Sequence, residues 1–314
     1  MLVLEEAQVR NLLTPEKCLA AMRQAFVDLE TGKCAMPPRL ITHMPNTAVF
    51  GFMPAYVGDY FGAKVINAFA PNMGTAYPSH IGYVILFESA HCTTIGMVEA
   101  GSITEIRTGC ASAVATDLLA RKDAHTMAVI GAGAQARSHL AAIRLVRDIT
   151  SVSVFDLNTA AAQKYALDMN RAYNIPVKVC QSAAEAVIDA DIICTVCPAK
   201  EAYLTRSMVK PGAHINAVGT YTPTTREVAS DLVAAARLYS DYTASTVTES
   251  GEYLIPLKEG LITEEHIIGS VGELLLKKCE GRQSESDITI FDALGLAVED
   301  IAAAVMVYKE AAAL

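Results

Sequence analysis

The stretch TMAVIGAGAQARSHLAAI, residues 126–143, limits the possible folds of this chain more than any other feature. An apolar run of strand length meets a turn in which Gly131, Gly133 and Ala136 form GxGxxA, and an amphipathic helical pattern starts at once. Gly131 permits the tight turn, Gly133 lets the backbone approach a pyrophosphate, and Ala136 is small enough for the helix to pack on the strand. The N–H groups near Ala134 and Gln135, at the start of that helix, would then face the phosphates. The next strand, SVSVFD, ends in Asp156, 20 residues after Ala136, where a carboxylate takes the ribose hydroxyls. A carboxylate there repels a 2′-phosphate, and Leu157, Asn158 and Thr159 supply no arginine to receive one. NAD(H) is therefore the expected cofactor, ahead of NADP(H).

The pattern around this unit alternates strand and helix. IPVKVC, DIICTVC, GAHINAVG and RLYSD read as strands. NTAAAQKYALDMNRAY reads as a helix with Asn158 as its N-cap, and a further helix is expected from about Glu227. Alternation of this kind predicts an α/β fold, a Rossmann-type doubly wound parallel sheet over residues 121–289. The earlier residues differ. A helix capped by Thr14, opened by Pro15 and ended by Gly32 carries a stripe of Leu19, Met22, Phe26 and Leu29. It precedes strand-like segments at 48–57, 60–69 and 81–89, the last two joined by the Gly/Pro/Asn loop APNMGTAYPSH. These predict an antiparallel sheet with a helix on it, an α+β domain. FDALGLAVEDIAAAVMVYKEAAAL reads as one long apolar helix returning to that domain, with the nucleotide sheet complete without it. The expected division is 1–120 with 290–314, and 121–289.

Composition excludes several classes. Hydrophobic residues make up 52% and charged residues 19%, as in an ordinary folded protein with a large core. No apolar run reaches the ~18 residues that span a bilayer, and no basic segment leads into a greasy one. A formal charge of −9 with no Lys/Arg cluster argues against nucleic acid as a partner. The eight cysteines, with no secretion signal, fit a reducing, cytoplasmic setting. Cys194 and Cys197 form a CxxC with no second pair to complete a tetrahedron, so a buried strand is expected there and no metal site.

Three cations stand out in the first domain. Lys64 lies inside an apolar strand, where desolvation would lower its pKa and make it a proton donor or carboxylate ligand. Arg107 precedes the Ala-rich helix TGCASAVATDLLAR; an arginine at a helix N-terminus opposes the dipole but is suited to hold an anion. Arg39 follows the stiff pair Pro37-Pro38. His80, in a PSH turn, could line a pocket or be structural.

Taken together, MPAYVGDYFGAKVIN, YPSHIGYVILFE, GSITEIRTGCASAVATDLLAR, AVIGAGAQARSHL, KPGAHINAVG and ITIFDALGLAVEDIAAA resemble the ornithine cyclodeaminase/mu-crystallin family over nearly the whole chain. The resemblance implies a substrate-binding and dimerisation domain, a Rossmann domain, a C-terminal helix returning to the first, and a homodimer. It implies that Arg39, Lys64 and Arg107 gather around a substrate carboxylate. Thr108 and Ala111 would lie at a helix start near the nicotinamide, and Val196 and Gly219 at strand ends beneath the cofactor. Two carboxylates of the cyclodeaminase branch are replaced here by Gly51 and Tyr221, and the PxxRE at Pro223 to Glu227 resembles the reductase side. Those two acids suit a substrate with a second, cationic amine; without them that amine would lose partners at about 1–3 kcal/mol each.

The expected activity is an NAD(H)-dependent oxidoreductase acting on the C–N bond of a small 2-imino or 2-amino acid, of ketimine reductase or amino-acid dehydrogenase type. Lys64 or water would supply the proton, with His80 and Tyr221 as further candidates. The alternatives are an ornithine or lysine cyclodeaminase that recycles NAD, and a non-catalytic NAD(P)H-binding protein of the mu-crystallin type.

Overall fold

The computed structural model describes residues 1–45, 47–72 and 75–314. Part of the 70–80 loop, Met73 and Gly74, lies outside them. The chain divides into two units, residues 1–107 with 296–314, and residues 108–295.

In the first unit, β1 (Leu2–Leu4), α1 (Glu6–Leu12) and α2 (Pro15–Glu30) precede a set of strands: β2 (Cys34–Ala35), β3 (Leu40–His43), β4 (Val49–Val57), β5 (Tyr60–Ala68), β6 (His80–Glu88) and β7 (Thr94–Glu99). Among the described residues they form one seven-stranded sheet in the order β1-β7-β6-β5-β4-β2, with β3 also on β4. Only β1 and β7 pair in parallel. The Thr14 hydroxyl accepts the Lys17 N–H and Pro15 occupies the first turn, so α2 starts where its sequence says. Its buried stripe is Cys18, Met22, Ala25 and Phe26 rather than one through Leu19 and Leu29, a rotation of the helix about its axis. Along β4, Gly51, Met53 and Ala55 are buried while Phe52 and Tyr56 are exposed. Met53 sits opposite Lys64, and Lys64 opposite Val84, so Lys64 belongs to the inner face.

The helix α3 spans Ala100–Leu119, and the unit boundary falls inside it. It begins eight residues earlier than its Ala-rich part suggests, because the Glu99 carboxylate caps it, accepting the Gly101 and Ser102 N–H groups at 2.5 and 2.8 Å. Arg107 and Thr108 are consequently mid-helix, not at its N-terminus, and the expected anion site on free N–H groups there does not exist.

The second unit holds β8 (Thr126–Ile130), α4 (Ala134–Ile143), β9 (Ser151–Phe155), α5 (Thr159–Tyr173), β10 (Val177–Val179), α6 (Ala183–Val187), β11 (Ile192–Thr195), β12 (His214–Ala217), α7 (Ser230–Ala235), β13 (Arg237–Ser240), α8 (Thr243–Glu249), α9 (Gly251–Lys258), β14 (Ile267–Ser270), α10 (Val271–Leu275) and β15 (Thr289–Asp292). Among the described residues its sheet has eight strands, all parallel, in the order β10-β9-β8-β11-β12-β15-β13-β14. The chain winds outward from β8 in one direction and from β11 in the other, so the topological switch lies between them.

Two expectations fail here. Residues 289–292 are a strand inserted between β12 and β13, so Phe291 and Asp292 do not start the expected helix and the sheet is incomplete without the segment. All four residues are buried, and an apolar run buried on both sides has no period to distinguish strand from helix. The helix itself, α11, is Ala297–Ala312; it packs on α2 and across β4 and β5. Similarly α7 starts at Ser230, since Val228 is drawn into a parallel bridge with Leu204 and Glu227 is wholly buried.

Candidate functional site

The nucleotide half is set by the ends of β8 and β9. Gly131 has φ +102°, and a Cβ there would stand 3.1 Å from the Val196 carbonyl oxygen at the end of β11, so glycine is required twice over. Gly133 caps α4 in an extended conformation, and a Cβ on it would meet nothing within 4 Å. Open space thus faces the first N–H groups of α4, at Ala134 and Gln135, which have no partner within the helix. Ala136 is fully buried. The Asp156 carboxylate accepts the Ala132 N–H and the Asn158 N–H, both at 2.7 Å, which holds it beside the glycine turn. A concavity of about 250 Å³ adjoins it, lined by Phe155, Asp156, Leu157, Thr159, Val179 and Gln181. Leu157 is 94% exposed there. Phosphate-facing backbone, a ribose carboxylate and a recess of mixed polar and apolar lining lie in the sequence that a dinucleotide presents, so these residues fit NAD(H).

At the ends of β11 and β12 stand Val196 and Gly219. Gly219 has no room for a side chain, since a Cβ would lie 2.1 Å from the Cys197 carbonyl oxygen. Thr108 and Ala111 are buried within α3. Tyr221, on the loop after β12, is 45% exposed.

The first unit gathers the cations. The Lys64 ammonium is 2.7 Å from Asp300 and 3.4 Å from the Thr104 hydroxyl. The Arg107 guanidinium donates to Glu299 at 2.6 Å through Nη1 and to Asp300 at 3.0 Å through Nε. All four side chains are buried, Lys64 and Arg107 being 3% and 5% exposed. Burial pulls the Lys64 pKa down to about 8, opposed by Asp300 and aided by the charges of Arg107 and Arg39. Burial works against the Arg107 charge too, but Asp300 and Glu299 outweigh it and the guanidinium stays protonated. Arg39 is half-buried and near enough for its charge to act on Lys64. His80 opens β6; its ring lies 3.1 Å from the Ser79 hydroxyl, and desolvation, then the Lys64 charge, lowers its pKa.

Sequence reasoning missed Glu299 and Asp300. Their signal was present: two adjacent acids in an otherwise apolar helix must find cations, and both sit in the first turn of α11, where the helix dipole favours them. It also missed Glu227, a fully buried carboxylate between β12 and α7. Lys64 and Arg107 are brought to one buried cluster with Glu299 and Asp300, and Arg39 and His80 lie near enough for charge to act between each of them and Lys64; Gly131, Asp156, Val196 and Gly219 follow the carboxyl ends of β8, β9, β11 and β12.

The profile of the ornithine cyclodeaminase/mu-crystallin family matches residues 1–313. The chain belongs to this family. It is 34% identical to the ketimine reductase mu-crystallin of Mus musculus over 95% of this chain and 91% of that one. Among solved structures it superposes on the Thermococcus litoralis Δ1-pyrroline-2-carboxylate reductase in complex with NADH and L-proline with a TM-score of 0.97. Identity there is 33%, and the match covers 100% of this chain and 98% of that one. An archaeal alanine dehydrogenase dimer with bound NAD gives 0.94 at 30% identity, covering 100% and 96%.

Proposed function

We propose that this family member is an NAD(H)-dependent oxidoreductase acting on the C–N bond of a small 2-imino or 2-amino acid. The observation that carries the reading is the buried pair of cations in the first unit: Lys64 and Arg107 are held side by side by the shared carboxylate of Asp300, with Glu299 on Arg107 and the Arg39 charge acting on Lys64. Cations fixed in this way are suited to receive a substrate carboxylate.

Bound NADH supplies the hydride that reduces the C=N carbon. The protein's residues do the rest. Asp156 and the Gly131–Gly133 turn hold the nucleotide, and Asp156 selects against a 2′-phosphate. Arg107 and Arg39 orient the substrate carboxylate, with His80 lining the site. Glu299 and Asp300 fix the Arg107 guanidinium so that its position is set before substrate arrives. Lys64, with its pKa drawn down to about 8, holds the proton that keeps the imine activated. Tyr221 is the second candidate for that proton.

The reductase reading is preferred to a cyclodeaminase on a specific observation. A side chain at Gly51 would meet Ile66 at 3.2 Å and Ile41 at 3.5 Å, so apolar groups fill the place where a carboxylate would be needed for a second amine. The first unit is the substrate-binding and dimerisation part and the second the cofactor-binding part. A homodimer is supported by the dimeric archaeal relative and by the uncovered sheet face of the first unit, where Phe52, Tyr56 and Ile81 are exposed beside the Phe61–Phe87 stack. A cytoplasmic setting is the localisation proposed, in keeping with the metabolic relatives; among the described residues no helix is long and apolar enough to cross a membrane.

The test is NADH oxidation with cyclic 2-imino acids and with 2-oxo acids plus ammonia, and NAD reduction with amino acids. Net consumption of NADH by an imine is expected. Ammonia release from ornithine or lysine with no net change in NADH would replace this reading with the lyase.

A further inference from the structure

The carboxyl ends of β11 and β12 are joined by one buried side chain. Glu227 is fully buried, and its carboxylate accepts five donors. Oε1 takes the Cys197 N–H at 3.0 Å, the Tyr203 hydroxyl at 2.9 Å and the Cys197 thiol at 3.2 Å. Oε2 takes the Gly219 N–H at 2.7 Å and the Thr195 hydroxyl at 2.8 Å. Two of these donors are backbone N–H groups, one from the loop after β11 and one from the loop after β12. The two loops touch: a Cβ on Gly219 would collide with the Cys197 backbone and with Glu227 itself.

We propose that Glu227 is a positioning residue for the nicotinamide end of the cofactor, tying the loops at Cys197 and Gly219 into a single floor. The proposal rests on the NAD(H) reading above. The ADP end is held by the Gly131–Gly133 turn, Asp156 and the recess beside Leu157; the turn packs against Val196 and Cys197, but among the described residues no hydrogen bond joins these groups to Glu227. The glutamate is itself held in place: Glu252 accepts the Glu227 and Val228 N–H groups at 2.6 and 3.0 Å.

Chemistry makes the carboxylate hard to replace. Hydroxyl donors can rotate, but a backbone N–H cannot reverse. In Glu227→Gln one oxygen becomes an amide nitrogen, which donates. Placed at Oε1 it faces the Cys197 N–H; placed at Oε2 it faces the Gly219 N–H. Either way one loop must move, while volume and shape are kept.

The experiment compares NADH with ADP-ribose, which lacks the nicotinamide, on the full chain. Affinities are measured by NADH fluorescence and by competition or calorimetry for ADP-ribose. The expected result is that E227Q binds ADP-ribose within about twofold of wild type, while its preference for NADH over ADP-ribose falls about tenfold. A preference unchanged from wild type, whether both ligands weaken alike or neither does, overturns the proposal. If E227Q does not fold, Thr195→Val removes one donor and leaves the carboxylate; the same preference should fall by a smaller factor, and an unchanged one overturns the proposal. Wild-type protein that binds neither ligand would instead overturn the cofactor reading.

Discussion

Lys64 and Arg107 show how burial decides what a charged residue can do. Lys64 carries a proton with a pKa near 8 because desolvation exceeds the attraction of Asp300. Reductive turnover should therefore be level below about pH 8 and fall above it, as the ammonium loses the proton it must give. Lys64→Met should lower kcat by about 100-fold or more while NADH affinity is kept; a variant with wild-type turnover would place the proton elsewhere. Arg107 has a second role that the sequence did not disclose, since it neutralises two buried carboxylates. Arg107→Ala should thus cost about 3–5 kcal/mol of stability as well as activity, read from urea midpoints, because Glu299 is left buried without its cation. Arg107→Lys should recover part of the stability and little of the activity, as an ammonium cannot reproduce the fork.

At the scale of elements, sequence and structure agree where a local rule decides and part where tertiary context does. The β8 turn, the Asn158 cap and the Thr14-Pro15 start are each fixed by a few neighbouring residues, and all were legible. The start of α3 was not, because Glu99 caps it from the end of a strand that itself had gone unread. Nor was β15, whose place between β12 and β13 depends on partners dozens of residues away. Of the candidate site, the glycine turn and Asp156 were readable from spacing, whereas Glu227, Glu299 and Asp300 act only through distant partners. β15 carries a testable consequence. Burial raises the Asp292 carboxyl at its end to about 7, opposed by the facing Ser250 hydroxyl. The folded protein holds this proton where an unfolded chain, with a carboxyl near pKa 4, has lost it. Its contribution to stability accordingly declines as pH rises from about 4 to about 7. Asp292→Asn should stabilise the protein by up to about 4 kcal/mol at pH 8 and by only about 1.5 kcal/mol at pH 5, compared through denaturation midpoints; equal effects at both would show that the carboxyl is not the source.

For the whole molecule, the sheet face of the first unit is the feature that a lone chain would leave in water. Phe52, Tyr56 and Ile81 are exposed on it, and β3 is exposed throughout its length. Phe52→Glu should convert a dimer to a monomer in sedimentation, with a monomeric wild type overturning the assignment. The chain also leaves the first unit after residue 107 and returns to it only at residue 296. Glu299 and Asp300 are therefore translated after the whole nucleotide-binding unit, although they answer cations made some two hundred residues earlier. A nascent chain keeps Lys64 and Arg107 apart from Glu299 and Asp300 until the nucleotide-binding unit has been translated, so the amino-terminal half can close its buried ion pairs only after that unit has been made.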